Sequence, residues 1–152
     1  MTTAEIVLPA DRRREGRLRL IDDTGDVLDV RCLGKADNAT AAKHGNPHRS
    51  PLRPYGDTPT GEYLVTAIRR YDPLHASFGA RFIALEPIGG DALTAKQNGR
   101  AGLAIHDDDV PPADGTLRVT YGCVRVDTPA AVALAARLMV DDRVMIREGD
   151  AA

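Results

Sequence analysis

Gly102-Leu103-Ala104-Ile105-His106, followed by Thr120-Tyr121-Gly122-Cys123-Val124-Arg125 with its cysteine 17 residues beyond the histidine, is the stretch on which the reading of this chain turns. A short apolar segment delivers a candidate base, and a glycine-containing turn delivers a candidate nucleophile. A thiol with an ordinary pKa of about 8.5 is only a few per cent thiolate at neutral pH. A histidine within hydrogen-bond reach removes that limit. Gly122 lets the backbone turn sharply, so the amides of Tyr121, Gly122 and Cys123 are expected to point together at a developing oxyanion. Cysteine, base and oxyanion hole together imply acyl transfer.

Outward from that stretch the pattern is that of strands. Arg17 to Ile21 alternates polar and apolar, Asp22 to Asp26 makes a turn, and Val27 to Leu33 runs back as an opening hairpin. Residues 34–59 carry four prolines and the pair His44 and His48, which suits a long surface loop bordering a site. Alternation resumes at 62–69, 80–85, 103–105 and 117–120. One helix is expected after Thr128 as N-cap and Pro129 in the first turn, with Val132, Ala135 and Met139 on its apolar side, and then a last strand over 143–147. Residues 1–16 and 148–152 are expected to be loose, leaving one domain over 17–147. The fold expected is mainly β, a curved sheet or sandwich with one α-helix in the C-terminal half.

Composition narrows the partners. The chain of 152 residues has 22 acidic and 20 basic side chains and a formal charge of −2, which argues against nucleic acid. Four tyrosines, two phenylalanines and no tryptophan leave few stacking platforms, so a ligand is expected to be read by polar groups. Cys32 and Cys123 lack any paired spacing and read as free thiols. No apolar run approaches the ~18 residues of a membrane span. Met1 to Pro9 has an acid where a signal peptide carries bases, so no export signal is visible.

Each candidate has a plainer alternative. Cys123 alone, without its context, reads first as the buried small hydrophobe that most lone cysteines are, and His106 as a surface histidine at a loop entrance. His106-Asp107-Asp108-Asp109 is rich in metal-ligating atoms, but consecutive residues on one loop cannot all face one ion. Pro47 keeps His44 and His48 from sharing a helix face. Asp22-Asp23-Thr24-Gly25-Asp26 lacks the spacing of a calcium loop. No metal and no cofactor is expected.

The pair of blocks resembles the signature of the L,D-transpeptidase catalytic domain family, the YkuD type: a histidine, a spacer of a dozen or more residues, then Ser/Thr-His-Gly-Cys followed after one residue by Arg or Asn. Asp57-Thr58-Pro59-Thr60-Gly61-Glu62-Tyr63 is similar to that family's Thr-Pro-x-Gly lead-in to a core strand, and the closing helix and strand agree. The resemblance implies Cys123 as nucleophile, His106 as base and the backbone carbonyl of Asp107 as the group orienting the imidazole. It also implies that Arg125 supports the site or a substrate carboxylate, with Thr120, Tyr121 and Gly122 completing the turn. Tyr121 stands where the family usually has histidine, and a phenol with a pKa near 10 is no base at neutral pH.

The activity implied is attack on the carbonyl between meso-diaminopimelate and the terminal D-alanine of a peptidoglycan tetrapeptide stem, by a monomer acting in cell-wall biogenesis and cell shape. Water as acceptor makes it an L,D-carboxypeptidase, and a degenerate stem- or partner-binding domain is the non-catalytic alternative. Localisation stays open: the family's substrate implies the envelope or periplasm, the residues alone the cytoplasm.

Overall fold

Most of the alternating segments become strands of one eight-stranded mixed sheet in the computed structural model, which describes residues 1–108 and 114–150. Along the chain the elements are β1 (Thr3–Leu8), β2 (Gly16–Asp22), β3 (Gly25–Cys32), α1 (Asn38–Lys43), β4 (Gly61–His75), β5 (Gly79–Gly89), α2 (Asp91–Gln97), β6 (Ala104–His106), β7 (Val124–Arg125), α3 (Thr128–Arg137) and β8 (Arg143–Glu148). In space the order is β3-β2-β1-β8-β4-β5-β6-β7. The β1–β8 and β6–β7 pairs are parallel and the other pairs antiparallel. The sheet curls enough for its two ends to touch: Leu33, just past β3, exchanges two backbone hydrogen bonds of 2.9 Å with Arg125 of β7.

The hairpin β2–β3 and the last strand β8 form where the alternation places them. The N-terminal segment is not loose. Ala4, Ile6 and Leu8 of β1 point into the core, wholly buried, while Thr3, Glu5 and Val7 face outward, and the strand lies between β2 and β8. Burying an Ile or Leu side chain contributes about 1.5–3 kcal/mol, and together with the backbone ladders filled on both edges this offsets the entropy of ordering the six-residue strand. At the other end Glu148 completes β8 and the Gly149 amide donates to Leu8. Residues 151–152 lie outside the described residues.

Three further expectations change. The loop over 34–59 holds a helical turn, α1, capped by the Asp37 carboxylate on the Thr40 amide. A seven-residue helix, α2, follows β5; it is too short to show helical periodicity and is stabilised by burying Ala92 and Ala95 against the sheet. Residues 117–120 do not form a strand beyond a single bridge of Thr120 to Ala36, because the carbonyls of Arg118 and Val119 are taken by the Arg125 guanidinium.

Helix α3 starts one residue earlier than expected. Asp127 is its N-cap, accepting from the Ala130 amide at 2.9 Å, which leaves the Thr128 hydroxyl for another partner. Its buried face is Ala130, Ala131, Leu134 and Ala135, laid against β5, while Val132 and Met139 are exposed. The core thus fills the concave side of the sheet from Ile6 and Leu20 through Val144, Tyr63 and Ile83 to Ile105, Val124 and Leu134. The short strands β6 and β7 sit at the end of this sheet, with His106 closing β6 and Cys123 standing just before β7. Among the described residues no helix is long and apolar enough to cross a membrane.

Candidate active site

Thr120 ties the cysteine turn together. Its Oγ1 accepts the Gly122 amide at 2.9 Å and donates to the Cys123 carbonyl at 2.8 Å, while its backbone is strapped to Lys35 and Asp37. From the other side the buried Thr58 hydroxyl donates to the Gly122 carbonyl at 2.6 Å. Gly122 has φ +114°, and a Cβ there would run into the Arg100 guanidinium and the Gly56 carbonyl, so both conformation and space require glycine. One expectation is corrected: the Gly122 amide is already spent on Thr120, so it drops out of the expected trio of oxyanion donors.

The parallel β6–β7 register pairs Ile105 with Val124 and His106 with Arg125. It therefore sets Cys123 opposite Ala104, and since alternate residues share a face, Cys123 and His106 lie on the same side of the sheet. Both line one cleft of about 1180 Å³, together with Tyr55, Phe78, Arg100 and Tyr121. A smaller hollow of about 520 Å³ beside His44 and Arg53 contains neither.

His106 is 3% exposed, with Phe78 edge-on at 5.1 Å and Phe82 stacked at 6.0 Å between ring centres. Its Nδ1 lies 2.8 Å from the Asp107 carbonyl. A carbonyl only accepts, so Nδ1 carries the proton and Nε2 of the neutral ring keeps its lone pair. Burial pushes the imidazole pKa down from 6.5 to about 4, against the pull of that hydrogen bond and aided by the Arg125 cation. Burial also pushes the Cys123 thiol up, opposed by the Ala104 amide and by the cations of Arg100 and Arg125. Both shifts disfavour charge, so the resting pair is thiol and neutral imidazole rather than thiolate and imidazolium.

Arg125, 6% exposed, donates to the carbonyls of Asp107 (2.5 Å), Val119 (3.1 Å) and Arg118 (3.2 Å) and pairs with Asp108 at 3.6 Å. These contacts hold the backbone around His106 and the cysteine turn, which fits the support role of the two expected for it. Asp107 does more than present a carbonyl: its buried carboxylate accepts from the amides of Ala80 and Arg81 and from the Thr128 hydroxyl.

Arg100 was not singled out in the sequence. It is buried and donates to the carbonyls of Pro51, Arg53, Gly56 and Asp57, which fixes the loop under the cysteine turn. A lone arginine after a helix carries no signal of that. Tyr121 is 67% exposed at the cleft rim, its ring 6.4 Å from Tyr55, which stacks on His44 at 3.7 Å. Scarce as aromatics are, two of the four tyrosines stand at the mouth of the cleft, so polar groups are not its whole lining. Among the described residues no group of three or more His, Cys, Asp or Glu is placed to hold a metal ion, and Asp109 to Pro112 lie outside the described residues.

Comparison with known proteins follows the same lines. The fold is similar to that of an Enterococcus faecium L,D-transpeptidase in a cysteine-to-serine form, at 12% identity and TM-score 0.59 over 96% of this chain and 49% of that one. It is similar to L,D-transpeptidase 3 from Mycobacterium tuberculosis in complex with a faropenem-derived adduct, at 13% identity and TM-score 0.54 over 97% and 61%. A Xylanimonas cellulosilytica L,D-transpeptidase gives 19% identity and TM-score 0.53 over 95% and 60%. The chain thus spans about half to three fifths of the length of these structures. No curated protein sequence matches it. The sequence profile of the L,D-transpeptidase catalytic domain matches residues 13–146, and the chain belongs to that family, the YkuD type.

Proposed function

We propose that this chain is a cysteine acyltransferase acting on peptidoglycan tetrapeptide stems, with Cys123 as nucleophile and His106 as base. The observation that carries the reading is the Nδ1 hydrogen bond of His106 to the Asp107 carbonyl, which leaves a basic Nε2 in the cleft that also holds the Cys123 thiol. The thiol gives its proton to Nε2 as the sulfur attacks the carbonyl carbon between meso-diaminopimelate and D-alanine. The tetrahedral intermediate collapses, the C–N bond breaks, and the imidazolium returns the proton to the leaving D-alanine amine. A thioester remains on Cys123. An acceptor amine, relieved of a proton by the same Nε2, then attacks the thioester, and the thiol is restored.

The neutral resting pair suits this sequence. Charge appears only as the substrate reacts, in a desolvated site where the cations of Arg100 and Arg125 favour the sulfur anion. Tyr121 in place of the family's usual histidine adds no second base, so His106 serves both proton transfers. The turn holds its shape through Thr58, Arg100 and Thr120.

The test is release of D-alanine from a tetrapeptide stem, with and without an amine acceptor. Wild type is expected to release it and to form the amide product when the amine is present; tripeptide without acceptor shows water in that role. Folded wild-type protein that releases none, or a Cys123→Ala variant that releases it equally, contradicts the proposal.

A further inference from the structure

We infer that the Asp107 carboxylate is a positioning residue for the reaction: it holds the 107 peptide so that its carbonyl locks His106 in the tautomer with a free Nε2. The inference rests on His106 being the base.

The antiparallel ladder of β5 and β6 ends at the pair Phe82 and His106. One residue further the chain leaves the sheet, yet the Asp107 carbonyl must be aimed back at the imidazole of the residue before it. Where the ladder stops, the carboxylate takes its place. Its oxygens accept the Ala80 amide at 2.9 and 3.0 Å, the Arg81 amide at 3.0 Å and the Thr128 hydroxyl at 2.8 Å. The side chain is 0% exposed.

Two neighbours are shaped for it. A Cβ on Gly79, which has φ +67°, would lie 2.5 Å from the Asp107 carboxyl carbon, so glycine there makes room for the carboxylate. Thr128 opens α3, but Asp127 does the capping, so the Thr128 hydroxyl is available to Asp107. The start of β5 and the start of α3 thereby converge on the residue that orients the base. Arg125 donates to the same Asp107 carbonyl.

The alternative is that Asp107 acts by charge, raising the imidazole pKa. Its charge does pull that way, but it ranks behind burial, behind its own carbonyl's hydrogen bond and behind Arg125, and the ring stays neutral. Position and charge separate experimentally. Asparagine keeps the shape and most of the bonds, its oxygen accepting the two amides and its NH2 donating to the Thr128 hydroxyl at the loss of the second Ala80 contact, whereas alanine keeps neither shape nor charge.

The experiment follows the 15N signals of His106 in wild type, Asp107→Asn, Asp107→Ala and Thr128→Val, with the rate of faropenem acylation of Cys123 measured in parallel. Wild type is expected to show the Nδ1–H tautomer. Asp107→Ala is expected to show a mixture of tautomers and to acylate about 10²-fold more slowly, as a misaimed catalytic group does. Asp107→Asn is expected to recover most of both. Should Asp107→Ala fail to fold, Thr128→Val reads the same effect on a smaller scale, with partial tautomer mixing.

A folded Asp107→Ala with the wild-type tautomer and rate overturns the inference. So does an Asp107→Asn as slow as alanine with its tautomer unchanged, and so does a Thr128→Val whose tautomer population does not move. If wild-type Cys123 takes no faropenem, the proposed function fails instead, and the tautomer measurement still decides the role of Asp107.

Discussion

Cys32 and Cys123 are the same side chain in two regions built for opposite ends. Cys32 closes β3 in the core, 0% exposed, and burial drives its thiol pKa up to about 12 with only weak opposition from Arg17 and a Gly16 contact. Cys123 is also pushed up by burial, but it is partly exposed in a cleft, its Sγ donates to the Gly102 carbonyl at 3.6 Å, the Ala104 amide and the cations of Arg100 and Arg125 oppose the shift, and the His106 imidazole lies on the same face. On the proposed reading the surroundings decide reactivity: desolvation alone leaves a thiol inert, whereas a cleft shared with a basic imidazole and fixed positive charge would let it act as a nucleophile.

The comparison breaks most completely if the base is removed. His106→Gln is expected to keep the fold and lose about 10²–10⁴-fold in acylation of Cys123, measured with a tetrapeptide stem. Cys123 would then be a cleft thiol with no base to take its proton. An unchanged rate in that variant would detach the imidazole from the cysteine.

Acid separates the two regions next. With its pKa held near 4, His106 remains a base well below pH 6.5, so acylation is expected to persist at pH 5.5 and to fail as pH falls through about 4. Stability follows the same residue. The unfolded chain takes up the proton near 6.5 and the folded one near 4, so this contribution is full above pH 6.5 and is lost as the pH falls from there toward 4. Thermal melts should show the loss in wild type and its reduction in His106→Gln; a rate that halves near pH 6.5 contradicts the buried-base account.

Cys32→Ala sharpens the contrast from the other side. It should leave acylation at the wild-type rate and lower stability by about 1 kcal/mol, the effect of a small core truncation, read by denaturant titration. The smallest effect is expected from Tyr121→His. An exposed side chain at the rim should shift stability by less than about 0.5 kcal/mol. Acylation should change little, since Thr58, Arg100 and Thr120 hold the turn; a large gain in rate would mean that one histidine is not enough.

How much of this was legible depends on how local each cause is. The β2–β3 hairpin, α3 and β8 follow from alternation and capping residues a few positions apart. The cysteine and histidine stand out by residue type and spacing. Strand β1 shows its alternation equally well, but it becomes an inner strand only because β8, 140 residues away in register with it (Thr3 with Arg143), fills the edge that β2 leaves open, and no local signal announces a partner at that distance. Arg100, the Asp107 carboxylate and the Thr128 hydroxyl act on groups brought near only by the fold, so nothing in their own neighbourhood marks them. The amide of Gly122 is the reverse case: the glycine was readable, but its hydrogen bond to Thr120, two residues back, competes with the role expected for it.

The most direct measurement is peptide-mapped mass spectrometry of folded wild-type protein after incubation with faropenem, chosen because a similar L,D-transpeptidase structure holds an adduct derived from it. The account predicts one adduct per chain, carried by the peptide containing Cys123, with Cys32 unmodified. Modification of Cys32, or of both thiols equally, would contradict it.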